Sequence, residues 1–189
     1  MLKRVFDFFI SLVATIILFP VITVVAIVIK FSSPGPILFS QKRIGQNNKE
    51  FKIYKFRTMR TDTPNVPTHL LDTPEKWITP IGIFLRKTSL DELPQLWNIL
   101  KGEMSIVGPR PALYNQSDLI TLRTEKGVHK LIPGLTGWAQ INGRDELPIQ
   151  RKVKFDEEYL KRRSFLFDIK IIFMTIFKVM KSDGVKEGK

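Results

Sequence analysis

Apolar residues are spread very unevenly along this chain. Phe8 to Ile29 is a run of 22 uncharged, mostly apolar residues, FFISLVATIILFPVITVVAIVI. About 20 such residues suffice to span the hydrocarbon core of a bilayer, so the run reads as a membrane segment. A cleaved signal peptide has a shorter apolar region, about 7–15 residues, ending in small residues. This run is longer and ends in Ile29-Lys30-Phe31. Pro20 lies past its middle, removes one backbone donor, and is expected to kink or break the helix. Lys3 and Arg4 flank one end, and Lys30, Lys42 and Arg43 follow the other. The enrichment of Lys and Arg on cytoplasmic flanks therefore assigns no direction. A segment bent at Pro20 that enters and leaves on one side fits these residues, and so does an ordinary kinked span.

After the apolar run the pattern changes period. Ser-Pro-Gly-Pro, residues 33–36, is a turn signal. Residues 36–40 and 51–56 read as short strands, the second from its partial alternation, with Gly45-Gln46-Asn47-Asn48 as the hairpin turn between them. Residues 61–77 are polar and carry Pro64, Pro67 and Pro74, which predicts an exposed loop. The core that carries the candidate chemistry runs from Thr79 to about Arg144. Residues 153–180 begin polar and become apolar, ending in FLFDIKIIFMTIFKVM, interrupted by Asp168, Lys170 and Lys178. An amphipathic helix in the membrane interface fits that stretch, and a core helix packed on the domain is the plain alternative. The fold class expected is α+β and predominantly helical. It comprises an apolar membrane helix over residues 1–31 and a membrane-associated domain over residues 32–189, with a short β-hairpin and amphipathic helices around a small catalytic core.

TSLDELPQLWNIL, residues 88–100, holds two adjacent acids, Asp91 and Glu92, ahead of a helical pattern. Ser89 and Glu92 have the spacing of a capping box, and acids in a first turn suit the helix dipole. Pro94 conflicts with Ser89 as the cap. A helix starting nearer Asp91 puts the proline in the first turn, where it is tolerated, with Leu93, Leu96, Trp97 and Leu100 on one apolar face. Neighbours on a helix point about 100° apart, so adjacent acids suit different tasks.

Composition sharpens the question those acids raise. The chain has 189 residues, with 30 Lys and Arg against 18 Asp and Glu, a formal net charge of +12. Such a balance points to an anionic partner: nucleic acid, an anionic membrane or a phosphorylated substrate. There is no cysteine, which excludes disulfides and thiolate metal sites. The two histidines, His69 and His129, are far apart, which argues against a histidine metal site or a Ser-His-Asp triad. Basic residues fall in short blocks: Lys55-Phe56-Arg57, Arg86-Lys87, Gly108-Pro109-Arg110-Pro111 and Asn142-Gly143-Arg144. Arginine forks match phosphate oxygens, and Mg²⁺ is usually held by one or two carboxylates plus substrate phosphates. Basic blocks around an acidic pair therefore suggest a diphosphate with a divalent cation. There is neither a Walker-type loop nor a strand-linked GxGxxG.

Three stretches carry a specific resemblance: KFRTM (55–59), RKTSLDELPQLWNILKGEMSIVGPRP (86–111) and PGLTGWAQINGR (133–144). With the Lys-Arg-x-x-Asp start and the Pro-containing apolar segment, the chain resembles the bacterial sugar transferases, the monotopic polyprenol-phosphate phosphoglycosyl transferases, over nearly its whole length. The resemblance implies transfer of sugar 1-phosphate from a UDP-sugar to undecaprenyl phosphate, with release of UMP, through a phosphosugar carried on an aspartate. It implies Asp91 as nucleophile and Mg²⁺ contact, with Glu92 as partner. Arg110 matches the phosphate-binding arginine, and Arg86, Lys55, Arg57 and Arg144 are further phosphate candidates. It also implies a re-entrant helix broken at Pro20, both ends on the cytoplasmic side of the bacterial inner membrane, and no nucleic acid partner. Phe19 stands where many members carry Ser, leaving Ser11 and Thr15 as nearby hydroxyls. A homodimer through the apolar helices is compatible with the sequence. A catalytically inactive scaffold, or a module binding anionic lipid or nucleic acid, is the competing class, and it predicts no need for Mg²⁺ or for Asp91.

Overall fold

The computed structural model describes residues 2–64, 73–143 and 147–180. The apolar run forms one long helix, α1 (Leu2–Ser32), with Pro20 inside it. It is long and apolar enough to cross a membrane by length and composition. A single stripe of α1 packs on the rest of the chain: Asp7, Ser11, Ala14, Leu18, Ile22, Val25 and Ile29. These positions recur every three or four residues, the period of one helix face. The stripe continues through Pro20, and the chain stays helical on both sides of it. A proline removes only one backbone donor, and packing on both sides holds the remaining turns. The nearby hydroxyls do not serve the carbonyl that Pro20 leaves without its helical donor, that of Ile16. Thr15 Oγ1 donates to the Ser11 carbonyl (2.7 Å) and Thr23 Oγ1 to that of Phe19 (2.9 Å). The other faces of α1 are exposed and apolar, including Phe9, Ile16, Ile17, Phe19, Val24 and Phe31.

The hairpin forms as expected and is longer in its first strand: β1 (Leu38–Ile44) pairs antiparallel with β2 (Glu50–Phe56) through a 3₁₀ turn at Gln46–Asn48. A short helix, α2 (Pro74–Trp77), precedes α3 (Pro80–Thr88). Thr79 caps α3 by accepting the Gly82 N–H (3.0 Å), and Pro80 sits in the first turn, where its missing donor costs nothing. Then follow α4 (Gln95–Lys101), β3 (Ser105–Val107), β4 (Ala112–Leu113) and α5 (Ser117–Glu125). Last come β5 (Gly134–Thr136), α6 (Trp138–Ile141), α7 (Ile149–Arg162) and α8 (Phe165–Met180). Strand β4 joins the hairpin as a three-stranded sheet in the order β2-β1-β4, and β3 pairs parallel with β5.

The tail is two helices, not one amphipathic helix from residue 153. The chain leaves helix at Arg163, the C-cap of α7, and the Ser164 hydroxyl accepts the Phe167 N–H at the start of α8 (3.2 Å). Phe167 and Ile171 of α8 enter the main core with Val107, Val128, Leu131, Ile141 and Tyr159. Phe165, Leu166, Phe173, Ile176 and Phe177 face outward. The core-helix and the apolar-surface readings of this stretch thus describe two faces of α8.

Both ends of α1 rest on this domain. At its start, Lys3 pairs with Asp168 of α8 (2.6 Å) and Arg4 donates to the carbonyls of Ile99 and Leu100 at the end of α4. Asp7 accepts from Ser105 Oγ (2.7 Å) and the Ile106 N–H (3.2 Å) of β3. At its end, Val25 and Ile29 pack with Phe56 and Leu85.

If α1 is part of the core, Ile29→Ala (1% exposed) should lower unfolding stability by about 2–5 kcal/mol, whereas Ile27→Ala (52% exposed) should leave it nearly unchanged. Thermal unfolding of both variants in detergent micelles checks this; equal effects would refute the packed stripe.

Candidate active site

The two acids sit on a 3₁₀ turn, Leu90–Glu92, between α3 and α4. The expected capping box is not formed. Ser89 adopts a left-handed conformation (φ 57°) that closes α3, and its side chain caps nothing. Pro94 has no N–H to continue a helix, so α4 begins only at Gln95. The buried face of α4 is Gln95, Leu96, Asn98 and Ile99, while Trp97, expected on the apolar face, is exposed. Leu90 and Leu93 anchor the acidic turn on the Val25–Ile29–Phe56–Leu85 cluster. Asn98 stitches α4 to β2, accepting the Tyr54 N–H (3.1 Å) and donating to the Lys52 carbonyl (2.7 Å). That registration brings Lys55 of β2 to the acids.

Lys55 Nζ lies 2.7 Å from Glu92 Oε1 and 3.9 Å from Asp91 Oδ2. Adjacent acids therefore converge on one ammonium, despite the divergence a regular helix would impose. Arg110 Nη1 and Nη2 both donate to the same Glu92 oxygen, each at 3.2 Å. Arg86 donates from Nε to Thr58 Oγ1 (3.0 Å) and lies close enough to act on the charge of Asp91.

The two acids are pushed in opposite directions. Burial raises the pKa of Asp91 above 3.8, the Glu92 charge adds to this, and Lys55, Arg86 and Arg110 oppose it. Burial also acts upward on Glu92, but Lys55 and Arg110 outweigh it and hold Glu92 well below the ordinary 4.5. Carboxylates separated in this way take different roles. Glu92 is saturated by cations. Asp91 accepts no hydrogen bond from the described residues, yet its charge is countered from three sides. It is the carboxylate with oxygens left for an electrophile or a cation.

The position of Arg110 comes from a contact between two backbone turns. Gly108 N–H donates to the Thr136 carbonyl and Gly134 N–H to that of Pro109, both at 2.9 Å. A Cβ at Gly108 would strike the Ile132 carbonyl, and one at Gly134 the Gly108 nitrogen. Only glycine permits this approach.

A family model described as bacterial sugar transferase matches residues 1–182. The chain belongs to the bacterial sugar transferase family. Among its relatives is the UDP-glucose:undecaprenyl-phosphate glucose-1-phosphate transferase of Escherichia coli (strain K12), 42% identical over 186 residues. That alignment covers 94% of this chain and 40% of the relative. The undecaprenyl-phosphate glucose phosphotransferase of Komagataeibacter xylinus is 44% identical over 185 residues, covering 92% of this chain and 35% of that protein. The sugar transferase EpsL of Bacillus subtilis (strain 168) is 43% identical over 193 residues, covering 98% of this chain and 91% of that protein. The chain thus spans two fifths or less of the first two relatives and nearly all of the third.

Of the candidate site residues, Asp91, Glu92, Lys55, Arg86 and Arg110 come together. Arg57 does not. Its buried guanidinium donates to the carbonyls of Ser33 (2.7 Å) and Pro34 (2.9 Å) and to Ser33 Oγ (2.9 Å), closing the end of α1. A cation at a helix C-terminus meets the negative end of the dipole, which accounts for its place there rather than on a phosphate. Arg144 lies outside the described residues. Thr58, which holds Arg86, is an addition, and its place in KFRTM beside Arg57 is the available sequence signal. Arg123 and Arg43, which grip the Arg110 turn, carry no motif signal.

As for a magnesium ion, the described residues contain no cluster of three or more carboxylate or imidazole groups. A dedicated protein cage is therefore not built from them. An open Asp91 carboxylate beside the Lys55, Arg86 and Arg110 cations does fit an ion that arrives with substrate phosphates.

The opposite shifts predict opposite stability effects. Glu92, with its folded pKa lowered, stabilises the fold fully above about pH 4.5 and loses this as pH falls; Asp91, with its folded pKa raised, destabilises it once ionised. At pH 7, Asp91→Asn should raise the melting temperature, while Glu92→Gln should lower stability by about 1–3 kcal/mol. Calorimetry of both variants checks the signs.

Proposed function

We propose that this chain transfers sugar 1-phosphate from a UDP-sugar to undecaprenyl phosphate, the first membrane step in building a surface glycan. The observation that carries the reading is the split pair, an open Asp91 and a cation-saturated Glu92, at one basic cluster. The relatives named as glucose-1-phosphate and glucose phosphotransferases support the same donor and acceptor classes. Phosphoryl transfer depends mainly on positioning and charge neutralisation, which this cluster supplies.

Asp91 attacks the sugar-bearing phosphorus. An Oδ–P bond forms, the P–O bond to the leaving nucleotide breaks, and UMP departs with that oxygen. An oxygen of the polyprenyl phosphate then attacks the same phosphorus. The Oδ–P bond breaks and the Asp91 carboxylate is regenerated, leaving a diphosphate-linked sugar in the membrane. Lys55, Arg86 and Arg110 face the phosphate oxygens. Glu92 keeps Lys55 and Arg110 in place between turnovers and assists the acceptor step. Asp91, with substrate phosphates, would hold Mg²⁺, which supplies charge neutralisation of the diphosphate.

The catalytic domain lies on the cytoplasmic face of the inner membrane, and α1 enters the bilayer without crossing it. Contacts of Lys3, Arg4 and Asp7 at one end, and of Val25 and Ile29 at the other, with one domain support this arrangement. The exposed apolar faces of α1 and α8 give the lipid contact.

Asp91→Asn should lower turnover by roughly 10⁴-fold or more and abolish a labelled phosphosugar adduct, and a chelator should stop the wild type until Mg²⁺ is restored. UMP release and adduct labelling measure both. An adduct that persists in Asp91→Asn ends the nucleophile assignment, and chelator-resistant turnover removes the metal.

Because the chain has no cysteine, single cysteines placed at Leu2 and at Lys49 report topology directly. Both should react with an impermeant maleimide only from the cytoplasmic side; labelling of position 2 from the opposite side would establish a span.

A further inference from the structure

Arg110 is useful only if its main chain is held still, and among the described residues four donors hold that turn. Two are the backbone N–H groups of Gly108 and Gly134 described above. The others are side chains: Arg43 Nη1 on the Pro111 carbonyl (3.1 Å) and Arg123 Nη1 on the Arg110 carbonyl itself (2.8 Å).

Arg123 lies on α5 and is 7% exposed. Its remaining donors, Nε and Nη2, both go to Asp156 Oδ2 of α7, at 2.9 and 2.6 Å. Asp156 is 1% exposed. Burying such a pair is expensive, and apolar residues of similar volume often stabilise a core better. The surroundings would accept them, since Leu119, Val153 and Ala112 already form an apolar cluster between these elements. Stability therefore does not explain the pair. What an apolar pair cannot supply is an N–H aimed at the Arg110 carbonyl. A guanidinium can, because its fork serves two partners in one plane while a lysine ammonium has no such fixed directions.

We propose that Arg123, oriented by Asp156, is a positioning residue for Arg110, fixing the main chain from which the phosphate-binding guanidinium departs. The proposal rests on the reading of Arg110 as a phosphate ligand. Asp156 holds one edge of Arg123, and the other edge holds the turn. A distant ion pair between α5 and α7 thereby sets the aim of a group in the active site.

The test is a double-mutant cycle on the full chain in nanodiscs, with a UDP-sugar that the wild type uses and undecaprenyl phosphate. Arg123→Lys should lower kcat/KM for the donor about tenfold, and Arg110→Ala more. In the Arg110→Ala background, Arg123→Lys should cause no further loss. Multiplying losses would overturn the positioning role while leaving Arg110 in the site. An Arg110→Ala variant with wild-type kinetics would instead remove the phosphate-ligand reading, and with it the basis of this one. Removing one member of a buried pair can unfold a chain, so a paired replacement, Arg123→Met with Asp156→Leu, serves as the second arm. It should melt no lower than the wild type and show the same loss of kcat/KM as Arg123→Lys. A folded paired variant with full activity sinks the proposal.

Discussion

The candidate site depends on a place where two stretches of main chain touch with no side chain between them. The turn through Gly108 and the turn through Gly134 exchange hydrogen bonds at van der Waals distance, and β3 and β5 pair as a continuation of that contact. A single Cβ at either glycine would push the turns apart. Arg110 would then leave Glu92, and Glu92 would lose a partner that keeps it charged inside the protein. The small parallel sheet is thus less a core element than a jig, and the larger antiparallel sheet does the same for Lys55. The dyad stands where the products of the two sheets meet.

Charge balance explains why the acids coexist there. Two carboxylates in a buried turn would ordinarily force one to take up a proton. Here the cations are shared unequally. One acid takes the direct hydrogen bonds, and the other receives only field. The result is a poorly solvated carboxylate, pushed above its usual pKa by burial while Lys55, Arg86 and Arg110 pull it back. It is also a state that a neutral isostere would relieve, so the site is held against its own preference by the packing of Leu90 and Leu93 beneath it.

Much of this was legible in the residues, and the failures have physical causes. The hairpin follows from its turn and strand pattern, and the acidic turn with its arginines from the motif blocks. The helix runs through Pro20 because a proline imposes a local cost, whereas the helix is held by contacts spread over seven positions. Ser89 misleads because the capping-box spacing is present but its φ is positive, which no pattern reveals. Arg57 sits in the same block as Lys55, yet Lys55 lies within β2 whereas Arg57 follows its last residue, Phe56, where the strand no longer sets the side chain's direction. One therefore reaches the acids and the other closes a helix. The partnership of Arg123, Asp156 and the Arg110 carbonyl joins three distant segments, and no local pattern encodes it.

The stripe on α1 has a consequence for how this protein can be divided. A membrane anchor is commonly pictured as a tether that can be cut away to release a working domain. Here the anchor contributes Val25 and Ile29 to one interior cluster and Ala14 and Leu18 to another, and its Arg4 closes the end of the helix that follows the dyad. Cutting it away would leave an open wall rather than a smaller folded domain. The exposed apolar face of α1 and the interior it packs on are one structure viewed from two sides, so the chain has no separate half to evolve or be engineered on its own.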